Sequence, residues 1–343
     1  MPAEWEPHEA TWIAWPHNRT DWPGKLSIIE WVYGEIVRKL IHSEIIRIIV
    51  NSEAHKRRAR LILARAGVDL SRVEFFLFET NRGWMRDFGP IFVHRVRGHN
   101  KLAIARFRFN AWARYPDWEK DDAIPERVAE MLGLCIFRAR SKGRDIVLEG
   151  GCIDVNGRGT LITTEECLLD QSIQVRNPGF DRNEIEEVLR AYLGVTNILW
   201  LGRGIAGDDT HGHIDDICRF VGPSTVVLCR EGNPNDVNYL PLEENRERLE
   251  GMRLEDGSRV EVVFLPMPEP LYLDGQRLPA SYANFYISNA SVLVPTFNDP
   301  NDRVALGILA EIFSDRLVVG IHAVDLVWGL GTLHCLTREQ PTR

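Results

Sequence analysis

A chain of 343 residues that is 44% hydrophobic and 26% charged has the make-up of a folded globular protein, which excludes a collagen, a disordered tail and a coiled coil. Its 41 Lys and Arg against 49 Asp and Glu leave a net charge of -8, which argues against a nucleic-acid partner and suits a small cationic ligand. No run approaches the roughly 20 apolar residues of a membrane span; the acidic start MPAEWEPHEATW lacks the pattern of a secretory signal, and six cysteines without a CxxC pair fit neither a disulfide framework nor a zinc site. A cytoplasmic chain with reduced thiols is expected.

In chain order, the charged run EAHKRRARLILAR reads as a solvated helix with Leu61 and Ile62 turned inward. A strand, VEFFLFE, starts at Val73, and the loop WMRDFGP follows it. Helices are predicted to begin near Asp122, Asp181, Leu242 and Asp302, in steps of 59, 61 and 60 residues. The second has a clear apolar face of Ile185, Val188, Leu189, Tyr192 and Leu193, whereas the third has only Leu242, Leu249 and Met252. After each helix comes an apolar strand, starting at Cys135, Asn197, Val260 and Val318. With Val73 these form a series with steps of 62, 62, 63 and 58 residues. Hairpin-like pairs sit between, most clearly CIDVNGRGTLIT, in which Asn156-Gly157 supplies a turn with positive φ. The whole chain, 1–343, thus reads as one α/β domain of five units with a period of about 60 residues.

Titratable residues fall on the same period. Asp87 in WMRDFGP, Glu149 in LEGG, His213 and Asp215 in GDDTHGHIDD, and Cys335 in GLGTLHC are spaced 62, 64 and 122 residues apart, counted from Asp87 through Glu149 and His213 to Cys335. Units arranged about an axis would bring them together. A cysteine beside a histidine supports covalent chemistry, with thiolate as nucleophile and imidazole moving protons. Asp87 and Asp215 match the fork of N–H donors on a planar guanidinium. Glu149 would hold the imidazole in one tautomer. Each residue also has a plainer reading: Cys335 as a packed thiol, His213 as a structural histidine, Asp87 as the partner of Arg86, Glu149 as a turn residue. The other five cysteines are read as packing thiols, and His211 finds no third ligand at metal-binding spacing.

The opening PAEWEPHEATWIAWPH, the loop WMRDFGP with FNAW after it, LEGGCIDVNGRGTLITTEECLL, DDTHGHIDD and LHCLTREQP together resemble the agmatine deiminase family of guanidine-modifying, or pentein, enzymes. The resemblance implies a five-bladed α/β propeller of ββαβ units around a central channel. It also implies Cys335 as nucleophile, His213 as acid and base, Glu149 as its partner, and Asp87 with Asp215 as the guanidinium clamp. No metal or organic cofactor is implied. The implied partner is a small cationic guanidine, agmatine first, with peptidyl-arginine or free arginine as the rival; a homodimer is implied as well. For the far end of the substrate, Trp84 and Trp112 are candidates to stack on an aliphatic chain and Asp208 or Asp209 to receive an amine. The chain departs from the family's usual letters at Ala113 (FNAWARY for FNAWGGKY), at Leu330 and Thr332 (GLGTLHC for GGGNIHC) and at His211 (DTHGH for DTDGH). An amidinotransferase and a non-catalytic binding protein of the same fold are the remaining alternatives.

Overall fold

The alternation of helix and strand resolves, in a computed structural model describing residues 1–95 and 101–342, into five sheets of three or four strands built on one plan. In four of them a short strand pairs antiparallel with a central strand, the chain passes through a helix, and the returning strand pairs parallel on the other side. The central strands are Leu102–Arg106, Thr160–Thr164, Thr225–Arg230 and Ser291–Thr296. Their parallel partners are Cys135–Arg138, Asn197–Leu201, Glu261–Pro266 and Leu317–His322. The predicted helices lie between each pair, at Ile124–Leu132, Arg182–Leu193, Tyr239–Gly251 and Pro300–Ile312. The fifth sheet joins the two ends of the chain: Thr337–Pro341 runs antiparallel to His8–Ala14, which pairs parallel with Ile45–Val50 and through it with Val73–Leu77.

Local chemistry explains these elements. In the hairpin from Asp154–Val155 to Thr160–Thr164, Gly157 takes φ +72°, where a side chain would be strained, and Leu161 comes to face Val155. The helix Arg182–Leu193 begins with a reciprocal cap between Asp181 and Glu184, and it buries Ile185, Val188, Leu189 and Leu193. The apolar face of Tyr239–Gly251 is as thin as its sequence suggests. Its buried positions are Leu242, Asn245 and Leu249, and the Asn245 amide fixes the neighbouring chain by accepting from Gly202 N and donating to Arg203 O.

One expectation needs correction, and one helix was not foreseen. The helix Glu53–Arg65 buries Ala59, Ile62 and Leu63, while Leu61 remains 52% exposed. At about 100° per residue, Ala59, Ile62 and Leu63 fall within one stripe about 100° wide, and Leu61 lies a further 100° from Ile62 on the side away from Leu63, which turns it to the opposite face. The helix Leu26–Leu40 was not predicted; it buries Ile29, Tyr33, Ile36, Val37 and Leu40 in the main apolar core, beside the helix Glu53–Arg65 and the strands Ser291–Thr296 and Leu317–His322. Among the described residues no helix is long and apolar enough to cross a membrane.

The repeat places the site. Just before the first strand of a sheet the chain makes a short turn, seen at Met85–Phe88, Gly150–Cys152, Ile214–Asp216 and Leu333–Leu336. The turn at Met85–Phe88 packs against those at Leu333–Leu336 and Gly150–Cys152, and the latter packs against Ile214–Asp216.

Candidate active site

These turns bring together Asp87, Glu149, His213, Asp215 and Cys335, all of them buried. The His213 ring is fully enclosed. Its Nδ1 is 3.7 Å from Asp87 Oδ1 and 3.9 Å from Asp215 Oδ1, and its Nε2 is 3.7 Å from Glu149 Oε2. The ring is therefore at ion-pair distance from three carboxylates, and neither nitrogen has a hydrogen-bond partner. On the other side of Asp215, Oδ2 lies 3.8 Å from the Cys335 sulfur, so a single carboxylate stands between thiol and imidazole. The glycines of LEGG make this closeness possible: a Cβ on Gly151 would lie 2.4 Å from His213 Nδ1 and 2.8 Å from Asp87 Oδ1. Both glycines supply space and neither has positive φ: Gly151 admits side chains of the site itself, whereas a Cβ on Gly150 would meet the Arg86 backbone oxygen at 2.2 Å.

A residue that sequence reasoning missed holds the sulfur. Asn284 Nδ2 donates to Cys335 Sγ at 3.2 Å and to Asp216 Oδ1 at 3.0 Å, while its Oδ1 accepts from the Thr332 hydroxyl and from His334 N. Asn284 precedes the first strand of the fourth sheet, the position that Asp87, Glu149 and Asp215 occupy in theirs. The signal was present as a gap, because the step of 122 residues from His213 to Cys335 spans two units. His334 was missed as well. Its Nδ1 is 2.6 Å from Asp215 Oδ2 and its Nε2 is 2.8 Å from Glu4 Oε2, which pins the carboxylate between the thiol and the imidazole.

Burial and neighbours push the acids apart. Burial, with Asp215 and Glu149 nearby, raises the Asp87 carboxyl to about 7, although it accepts from Trp112 Nε1 at 2.9 Å and from Gly151 N at 3.1 Å. Burial also works against an ionised Asp215, but the hydrogen bond and charge of His334 hold it below the usual carboxylate range. Glu149 is brought down to about 2 against its burial, chiefly by Arg176, whose Nε is 3.2 Å from Oε1. His213 is lifted well above the usual histidine range, as Asp87 and the other anions outweigh burial. Burial, followed by Asp215, Asp216 and Asp87, drives the Cys335 thiol well upward, and Asn284 opposes the shift.

A cavity of about 310 Å³ leads to Cys335 and Asp87. Trp84, Trp112 and Asp209 line it, but two of them have other engagements. Trp112 orients Asp87, and Asp209 accepts from the Tyr115 hydroxyl at 2.7 Å. Asp21, not anticipated, also lines the cavity; burial raises it to about 7, and one of its oxygens is unpartnered. Arg82 is the sole lining cation among the described residues, and it is already shared between Asp21 and Asp117. Leu330 lines the cavity, whereas His211 turns its Nε2 to Asp170 Oδ2 at 2.8 Å.

The five other cysteines are not all remote packing thiols. Cys152 and Cys167 lie against the site, with side-chain atoms of Glu149, Cys152, Cys167 and His213 all within 4.8 Å of one another. Linear spacing gave no sign of this closeness, because the four residues come from three separate segments that only the fold unites.

The family model of Porphyromonas-type peptidyl-arginine deiminase matches residues 1–341. The chain is similar to the agmatine deiminase of Stutzerimonas stutzeri, at 35% identity over 99% of this chain and 95% of that protein. Among solved structures it is similar to the Enterococcus faecalis agmatine deiminase, with a TM-score of 0.90, 30% identity, and coverage of 100% of this chain and 96% of that one. It is similar also to a C. jejuni agmatine deiminase with a cysteine-to-serine substitution and substrate bound, with a TM-score of 0.85, 29% identity, and coverage of 100% and 96%.

Proposed function

The chain belongs to the Porphyromonas-type peptidyl-arginine deiminase family, and on that footing we propose that it hydrolyses agmatine to N-carbamoylputrescine and ammonia through a covalent intermediate on Cys335. The observation that supports this most directly is the Asp215 carboxylate standing between the Cys335 sulfur, at 3.8 Å, and the His213 ring, at 3.9 Å. A guanidinium clamped by Asp87 and Asp215 has its central carbon beside the thiol, and its charge offsets the carboxylates that keep the thiol protonated. Cys335 attacks, His213 protonates the departing ammonia, and a thiouronium remains. Water activated by His213 then releases the ureido product, with Glu149 holding the ring.

The choice of agmatine rests on the far end of the cavity. Asp21 and Asp209 offer carboxylates to a second positive charge, whereas the carboxylate of free arginine would meet an Arg82 already paired. Trp84 suits an aliphatic chain, since Gly331 leaves its ring open to the sulfur; a Cβ there would lie 2.8 Å from the ring and 3.2 Å from Cys335 Sγ. Five sheets of one plan, with the two chain ends in one sheet, support a five-bladed propeller of ββαβ units about a central channel, working as one catalytic domain over 1–343.

The test is to supply agmatine, free arginine and a peptide ending in arginine separately, without an added amine, and to quantify ammonia and ureido product. Agmatine is expected to be turned over fastest, and the Cys335→Ala chain should release nothing. Preference for the peptide would move the assignment to peptidyl-arginine. No ammonia from any of the three would overturn it.

A further inference from the structure

Behind His213, on the side away from the cavity, lies a thiol pair that the proposed reaction does not use. Cys152 and Cys167 flank the hairpin of Asp154–Val155 and Thr160–Thr164, and the hairpin folds their sulfurs to 2.9 Å from each other. Cys152 Sγ donates to Glu149 Oε2 at 2.7 Å, the oxygen that faces His213 Nε2. Both cysteines are buried, at 0% and 2% exposure. Two thiolates bound to one tetrahedral zinc sit about 3.8 Å apart, given Zn–S bonds of about 2.3 Å. At 2.9 Å these two are too close to share that ion and are placed for a bond to each other.

We propose that Cys152 and Cys167 form a reversible disulfide when the protein meets a small hydroperoxide, and that this bond slows the enzyme by changing the surroundings of Glu149 and His213. Cys167 has the character of the attacking group: against its burial, the Cys152 hydrogen bond and the Arg176 charge lower its thiol to about 6. Its thiolate attacks one peroxide oxygen, the O–O bond breaks, and hydroxide leaves to be protonated to water, giving a sulfenic acid on Cys167. The Cys152 sulfur then attacks the Cys167 sulfur. The S–O bond breaks, and the departing hydroxide takes the Cys152 proton as a second water. Two thiols and one hydroperoxide, here hydrogen peroxide, thus yield a disulfide and two waters. A dithiol reverses the change. The closed site restricts the oxidant to a small one, so a bulky aromatic disulfide reagent should leave the pair untouched in the folded protein. Oxidation removes the S–H donor from Glu149 and the anionic sulfur from beside His213, which lowers the affinity of the ring for its proton.

The bond itself is independent of the deiminase reading; its effect on turnover rests on that reading. The bond is tested on the Cys335→Ser chain, which lacks the other reactive sulfur of the site. After hydrogen peroxide and an alkylating quench, trypsin cleavage at Arg158 separates the two cysteines, so a disulfide appears as peptides 145–158 and 159–176 linked together. Linked peptides that dithiothreitol releases, and that are absent from Cys152→Ser, are expected. Free thiols at both positions, or oxidation only to sulfinic acid, would overturn the proposal. Coupling is tested with the active chain, in which peroxide should lower kcat by roughly tenfold, part of what general acid–base catalysis is worth. Dithiothreitol should restore it, and the residual activity should have its basic limb at lower pH. A full yield of disulfide with unchanged kcat would refute the coupling and leave the deiminase reading intact. Inactivation that dithiothreitol does not reverse, and that Cys152→Ser shares, would place the damage at Cys335.

Discussion

Asp87 and Asp215 are chemically the same residue type, yet the fold gives them opposite protonation behaviour. Asp215 is held ionised by His334, while Asp87 is raised to about 7 by burial and by the anions around it. An acid whose folded value lies above its unfolded one binds its proton more tightly in the native state. Unfolding then releases a proton, so stability falls as pH rises, by up to about 1.4 kcal/mol per unit for each such group. Asp21 acts in the same direction through the same window, from about 4 to about 7. We therefore expect the melting temperature to drop between pH 5 and pH 7.5, with Asp87→Asn flattening the slope and a bound guanidinium restoring the loss. A wild-type profile that rises across this range would contradict the reading. The amide of Asn284 is the neutral donor on a sulfur surrounded by carboxylates. Asn284→Asp keeps its shape but replaces that donor with a further acid, so the midpoint for alkylation of Cys335 by iodoacetamide should move up by about one unit or more. An unchanged midpoint would remove Asn284 from the site. Three of the four departures from the family's letters share a backbone feature: Ala113, His211 and Leu330 adopt positive φ, at +52°, +65° and +67°, whereas Thr332 does not. Two of them stand where the family usually has glycine, at a strain on the order of 1 kcal/mol each.

At the scale of elements, the short turns before the strands carry the chemistry, and the helices behind them carry stability. Gly151→Ala would drive a methyl group into His213 and Asp87, neither of which has room to retreat. Since a displacement of about 1 Å at a reacting group can cost on the order of 10²-fold, kcat should fall by at least that factor. Asp181→Ala removes the cap of Arg182–Leu193 and should cost about 1 kcal/mol in chemical denaturation with kcat/KM unchanged. Equal effects of the two changes on turnover would refute this division. The elements were legible where apolar spacing is regular, as in Arg182–Leu193. The helix Leu26–Leu40 was missed because it precedes Val73, where the series of about 60 residues on which the reading relied begins.

Across the whole molecule, the first residues of the chain are tied to its centre. Glu4 Oε2 meets Arg86 at 3.0 Å and His334 at 2.8 Å, and Oε1 meets Arg219 at 3.0 Å. The buried network continues to Asp154 and Glu339, so residues from both chain ends and three sheets share one set of charges. Glu4→Ala leaves two buried guanidiniums with one carboxylate fewer, which should cost about 3 kcal/mol. It should also weaken turnover, because His334 loses the partner that aims it at Asp215. A shift of less than 1 kcal/mol in the denaturation midpoint, or full activity, would show that the network is dispensable.

The sequence by itself determined the α/β class and the period of about 60 residues, and it put Asp87, Glu149, His213, Asp215 and Cys335 at recurrent positions, because these follow from local periodicity and residue type. Only the tertiary structure decided what surrounds them. Asn284 as donor to the sulfur, His334 and Glu4 behind Asp215, Asp21 in the cavity, and the two thiols behind His213 are joined by through-space contacts between segments far apart in the chain. Such contacts leave no mark on spacing along the chain, since hydrogen bonds and charges depend on distance in space, which only packing sets.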